Sequence, residues 1–229
     1  MNNLKKDQES YYNPDDYLLG HILYSLKENA KLKCFLDVQC WRNRQLILLP
    51  HHGRAYTDLT DRQFKTLGIT TLDEKFSVQI KSNPNEGPLS PNLTVGLRSI
   101  SIKHLIWGLA LQTARGRVPE GTDLSLPFYL QSQPDFPETP TTQQGLRIAN
   151  LWTGNHFTLD EIAQKLNIDK TDVYSFYSAA VVTGWAAFAI AREDPLIVPG
   201  ATTKAMSKNK PQKEKEGFFA SILRRIGKR

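Results

Sequence analysis

Cysteine is scarce in this sequence: Cys34 and Cys40 are the two in 229 residues. Their spacing in an alternating segment puts them on the same face of one strand, too far apart along it to bridge, so no disulfide framework is implied. Long apolar runs are also missing. No stretch approaches the ~18 apolar residues of a membrane span, and the leading MNNLKKDQESYYNPDD has no hydrophobic core of a secretion signal. A reducing cytoplasm is the expected location, which makes the Asn92-Leu93-Thr94 sequon incidental. Catalytic signatures are lacking as well: there is no P-loop, G-x-G-x-x-G, G-x-S-x-G, H-E-x-x-H or C-x-x-C. The adjacent His51 and His52 are the one cluster that hints at a metal, but neighbours on a strand point to opposite faces, so they read as surface histidines. The expectation is a non-enzymatic protein with no cofactor and no metal.

What is present folds. The composition is 40% hydrophobic and 10% aromatic, with 14 Gly and 13 Pro, which suits a chain that buries a core. The formal net charge of +6 is unevenly placed. Between 201 and 229 nine basic residues face two acids, so the last 29 residues carry +7 and the preceding 200 are close to neutral. The folded body therefore has no broad field for polyanions, whereas the tail can act on phosphate or anionic lipid.

Five segments are expected: a flexible lead (1–16), an α+β domain (17–138), a winged-helix-like domain (139–198), a disordered linker (199–216) and a basic amphipathic helix (217–229). In the first domain, Tyr17 to Leu26 has helical spacing, and Cys34, Leu36, Val38 and Cys40 alternate into a hairpin with Gln45 to Leu49. Thr60 and Gln63 form a capping box for a helix through Leu67 that Gly68 stops. Phe76, Val78 and Ile80 mark a third strand, and Ser82 to Asn92 an exposed loop. Ser101 caps a helix on Ile102, Leu105, Ile106 and Leu109 that ends at Gly116. Val118 to Gly121 reads as a type I turn, and Leu124, Leu126, Phe128 and Leu130 as an edge strand broken by Pro127. The polar loop Arg115-Gly116-Arg117 with Glu120 to Asp123 reads as a helix end rather than a ligand site, since cations are expected there. The fold class is thus α+β, an antiparallel sheet with covering helices.

Beyond the Pro134, Pro137 and Pro140 connection, three helices are expected over 141–152, 159–166 and 170–184. Thr158 and Glu161 make a second capping box, Ala163 is small at a helix crossing, Asn167 suits a left-handed turn, and Ile168, Val173 and Phe176 face inward. On these residues the segment 141–198 resembles the helix-turn-helix superfamily. The resemblance implies a three-helix module, with Trp185 to Ala191 either the first wing strand or a prolongation of the last helix. It also implies a presented face on the second helix of the motif, carrying Lys170, Thr171, Tyr174, Ser175, Tyr177 and Ser178. Tyr174 and Tyr177 either supply contact area to a partner or pack against the N-terminal part. Asp169 and Asp172 flank the one cation of that helix, and the module from 141 to 195 has more acids than bases, so a protein partner is favoured over DNA.

The terminal GFFASILRRIGKR places Phe218, Phe219, Ile222, Leu223 and Ile226 on one helical face, with Arg224, Arg225 and Lys228 beside it. Lys215-Glu216-Gly217-Phe218-Phe219-Ala220 followed by Arg224-Arg225 resembles the membrane-targeting helix of the bacterial signal-recognition-particle receptor. This implies peripheral binding to the anionic inner membrane, or docking on a partner. The functional expectation is an adaptor or regulatory protein; the alternative is a DNA-binding transcriptional regulator.

Overall fold

The computed structural model describes residues 10–29, 35–39, 44–72, 79–83, 95–130 and 142–188. In chain order the elements are β1 (Tyr11–Tyr12), α1 (Leu18–Glu28), β2 (Phe35–Gln39), β3 (Leu46–Leu49), β4 (Arg54–Thr57), α2 (Asp61–Ile69), β5 (Gln79–Asn83), β6 (Arg98–Ser101) and α3 (Ile102–Ala114). There follow β7 (Val118–Pro119), β8 (Phe128–Leu130), α4 (Gln143–Trp152), α5 (Leu159–Leu166), α6 (Lys170–Val182) and β9 (Ala186–Phe188).

Five antiparallel strands pair in the order β5-β2-β3-β4-β6. The alternation in β2 does what period two requires, burying Leu36 and Val38 completely. The unbroken Leu46-Ile47-Leu48-Leu49 run of β3 is buried on both faces, as a central strand allows. Four-residue β4 and β6 are not legible in the sequence, and they complete the sheet. Of the expected third strand, Ile80 lies in β5 while Phe76 and Val78 fall outside the described residues.

Both capping boxes form. The Thr60 amide donates to Gln63 Oε1 (2.8 Å) and the Thr158 amide to Glu161 Oε2 (2.8 Å). Gly68 does not stop α2, which runs on to Ile69. A Cβ there would lie 2.6 Å from Gln112 Cβ, so glycine is what lets α2 and α3 touch at that point. α3 ends at Arg115 and Gly116, both left-handed (φ 49° and 81°). The following turn is shifted by one residue from the expectation. The Thr122 amide donates to Pro119 O, and Gly121 sits third with φ 82°, the signature of type II rather than type I.

The expected strand from Leu124 to Leu130 is corrected too. Asp123 accepts from the Ser125 amide (3.0 Å) and hydroxyl (2.6 Å), folding that stretch into a turn and leaving only Phe128–Leu130 extended. This β8 does not join the five-stranded sheet. It pairs with β9 (Leu130 opposite Ala186) and bridges to Phe157 and Thr153, so the strand belongs with the three-helix segment. Of the two readings for Trp185 onward, extended structure is the one found for Ala186–Phe188.

One buried cluster runs from Leu18 to Ala186. Its hinge is Trp107 of α3, edge-on to Phe176 of α6 (centroids 5.3 Å apart) and 5.0 Å from Trp185. Trp152 is fully buried, and its indole donates to Phe128 O (2.9 Å). No helix among the described residues is long and apolar enough to cross a membrane.

Candidate functional site

The helix α6, expected to present a face, is mostly enclosed. Its N-cap Asp169 accepts from the Thr171 amide and hydroxyl (both 2.8 Å), which holds that carboxyl below its ordinary pKa. Lys170 pairs with Asp160 of α5 (2.7 Å). From there the helix turns under the α3–β7 connection. The Gly116 amide donates to Ser175 Oγ (2.8 Å), and Ser178 Oγ donates to Arg117 O (2.8 Å). Thr171, though exposed, abuts Gly116, where a Cβ would lie 2.6 Å from its own.

Of the six residues expected on a partner-binding face, only Lys170 and Thr171 are exposed. Ser178 and Tyr177 have no exposed surface, Tyr174 is 8% exposed, and Ser175 is half-buried. That expectation is therefore corrected. Small hydroxyls and two tyrosines look like surface when read as helix positions, but the α3 end lies across them and takes the hydrogen bonds of Ser175 and Ser178. The tyrosines follow the packing alternative. Burial, with the Asp160 carboxylate beside it, pushes the Tyr174 phenol up to about 12; its hydroxyl donates to Asp160 Oδ1 (3.2 Å). Burial also raises Tyr177 and Tyr12, whose hydroxyls have no hydrogen-bond partner among the described residues. Thr122, an electrostatic neighbour of Tyr177, gives its proton to Pro119 O (2.8 Å) instead.

The Arg115–Arg117 loop is structural, as expected. Arg117 donates to Thr113 O (3.0 Å), Ala114 O (3.1 Å) and the Tyr17 hydroxyl (3.2 Å), and stacks over the Tyr12 ring (5.4 Å). It thus closes the last turn of α3 and ties down the β1 strap. His51 and His52 lie in a single helical turn, Pro50–His52, rather than on a strand; both are exposed, with rings edge-on at 6.4 Å. Among the described residues no group of three or more His, Cys, Asp or Glu is arranged to hold a metal ion. Phe218, Phe219, Ile222, Leu223, Arg224, Arg225, Ile226 and Lys228 lie outside the described residues.

An open concavity lies elsewhere among the described residues. A groove of about 510 Å3 runs between α2, β6 and α3. Its floor is apolar: Phe64 from α2, Ile100 from β6, and Leu105, Leu109 and Leu111 from α3. In the middle stands Gly108, where an added Cβ would meet nothing within 4 Å and would project into open space. The two helices touch at Gly68 and Gln112.

The rim is polar and mainly basic. Lys65 comes from α2 and Arg98 from β6, with His104 and Gln112 on α3 and Asp61 the one acid. Arg98 reaches Asp61 (2.8 Å) while its guanidinium lies 5.4 Å from the centre of the Phe64 ring. That pair is exposed, Asp61 by 84% and Arg98 by 42%, so it is worth at most ~1 kcal/mol and exchanges readily. Lys65 has no ion-pair partner among the described residues.

The sequence carried a signal for this groove that helical-face counting passes over. Helix α3 is apolar well beyond the Ile102-Leu105-Ile106-Leu109 stripe, with Trp107, Ala110 and Leu111 outside it and a narrow strip of His104, Gly108 and Gln112 between. Such a helix needs cover on most of its sides. A glycine within it costs ~1 kcal/mol relative to alanine, which asks for a reason.

No protein-family model, curated protein or solved structure matches the chain.

Proposed function

We propose that this protein is a non-enzymatic adaptor that docks a protein partner in the α2–β6–α3 groove and is brought to an anionic membrane surface by its C-terminal segment. The observation that carries the docking half is the groove itself: an apolar floor with a polar rim, beside an α6 whose polar side chains are consumed internally. Floors and rims of this kind are how protein interfaces are built. The reading places the protein in the cytoplasm, peripheral on the membrane.

The membrane half rests on sequence. Five apolar residues on one face of 217–229 and the cations beside them suit an interfacial helix, where each cation near the surface contributes about 1 kcal/mol. Phe218→Asp should abolish flotation of the full chain with phosphatidylglycerol-containing liposomes. If the unaltered chain stays at the bottom of the gradient, the membrane half fails.

Operator reading is the competing function, and the geometry of α6 weighs against it. A recognition helix must offer several side chains to base edges. Here the exposed start of α6 offers Lys170, already paired to Asp160, between two carboxylates at Asp169 and Asp172. Duplex binding by the full chain should accordingly be lost when all nine basic residues of 201–229 are replaced by glutamine. Retained, salt-dependent binding in that variant would favour the DNA regulator.

A further inference from the structure

We infer that the occupant of the groove is an acidic amphipathic helix of a partner protein, its apolar face on Phe64, Ile100 and Leu111 and its carboxylates on Lys65 and Arg98. This rests on the docking reading above and gives it a chemistry.

Shape is the first argument. The groove is a half-open trough between two helices that pack together around Gly68, not an enclosed tunnel. An acyl chain or other wholly apolar ligand would keep much of its surface in water there, whereas small-ligand pockets bury ~70–90% of what they hold. An occupant with an apolar face and a polar back suits the trough, which is the way amphipathic helices lie in grooves. Gly108 supplies a hole in the wall, open for an apolar side chain to enter between Leu105 and Leu109.

Charge is the second argument. Lys65 is unpaired among the described residues, and Arg98 is held by a single exposed carboxylate, a pair worth at most ~1 kcal/mol that an incoming Glu or Asp can replace. The two cations come from α2 and β6, so an acid on the occupant meets either wall. Their field disfavours this chain's own last 29 residues, which carry +7.

The test uses full-length 15N-labelled protein and two synthetic 16-residue amphipathic helical peptides that share a leucine face. One has four flanking glutamates, the other four lysines at the same positions. The acidic peptide should shift amides within 98–112 and bind about tenfold more tightly than the basic one at low salt. Lys65→Glu with Arg98→Glu should reverse that preference. Gly108→Phe, which fills open space and leaves the fold intact, should remove binding of both; should it misfold, Gly108→Met carries the same test. Equal binding of the two peptides, abolished by Gly108→Phe, overturns the acidic-partner inference and leaves a docking groove. Shifts produced by dodecanoate but by neither peptide, or no shifts from any of the three, overturn inference and docking reading together.

Discussion

Helix α6 and the α2–β6–α3 groove differ in opposite senses from what their sequences suggest. α6 has the composition of a surface helix near its start, yet Tyr174, Ser175, Tyr177 and Ser178 are spent on the α3–β7 connection and on burial. α3 reads as core, yet around Gly108 the described residues leave one side of it open. The lesson is that a polar side chain is available to a partner only if no backbone group of its own chain has claimed it. An apolar helix marks an interface where its own fold fails to cover it.

The harshest way to break the contrast is to remove the residue that joins its two halves. Trp107→Ala takes away the ring between Phe176 and Trp185 and should cost ~3–5 kcal/mol in urea unfolding, in one cooperative transition. A loss near zero, or two separated transitions, would mean that the α+β part and the helical part do not share a core.

The internal use of α6 is tested next. Ser178→Val leaves the Arg117 carbonyl without its buried partner and should cost ~1–3 kcal/mol by thermal or chemical denaturation. Alkali probes the same surroundings. Tyr174 is raised to about 12 when folded, and Tyr12 and Tyr177 are raised too, so the unfolded chain, with phenols near 10, releases protons first. Stability is thus unaffected by these groups below pH 10 and falls as pH rises above it through the folded values. Unfolding followed by fluorescence from pH 8 to 12 should show that decline, shallower in Tyr174→Phe. A flat profile would place the phenol in water.

Smaller effects sharpen the other side. Gly108→Ala puts a methyl group into open space and removes a helix-interior glycine, so it should raise stability by ~0.5–1 kcal/mol. Destabilisation would show that the position is crowded and the groove closed. Smallest of all, Lys170→Ala loses one exposed ion pair and should change stability by less than ~0.5 kcal/mol, against the larger loss for Ser178→Val eight residues along the same helix.

Local chemistry was the legible part of this fold. Capping boxes at Thr60 and Thr158, the left-handed Asn167 and the Leu36/Val38 alternation follow from side chains acting on their own neighbourhood, and each forms. Non-local decisions were not legible. Nothing near Phe128 says that it will pair with Phe188, sixty residues on. Gly68 reads as a stop until Gln112 is brought against it. Ser175 and Ser178 carry no local mark that Gly116 and Arg117 will lie across them. For the candidate site, the wide apolar surface of α3 and its internal glycine were on view in the sequence, but the α2 and β6 walls were not, because β6 is four residues long and α2 contributes a single aromatic, Phe64, to the floor.

The central claim is that partners meet this protein at Gly108 and not along α6. A photo-cross-linking amino acid can be placed at position 108 or at position 170 of the full chain and irradiated in living cells. The account predicts a discrete cross-linked protein adduct from position 108 and none from position 170. An adduct from 170 with nothing from 108 would contradict it and return the interaction surface to α6.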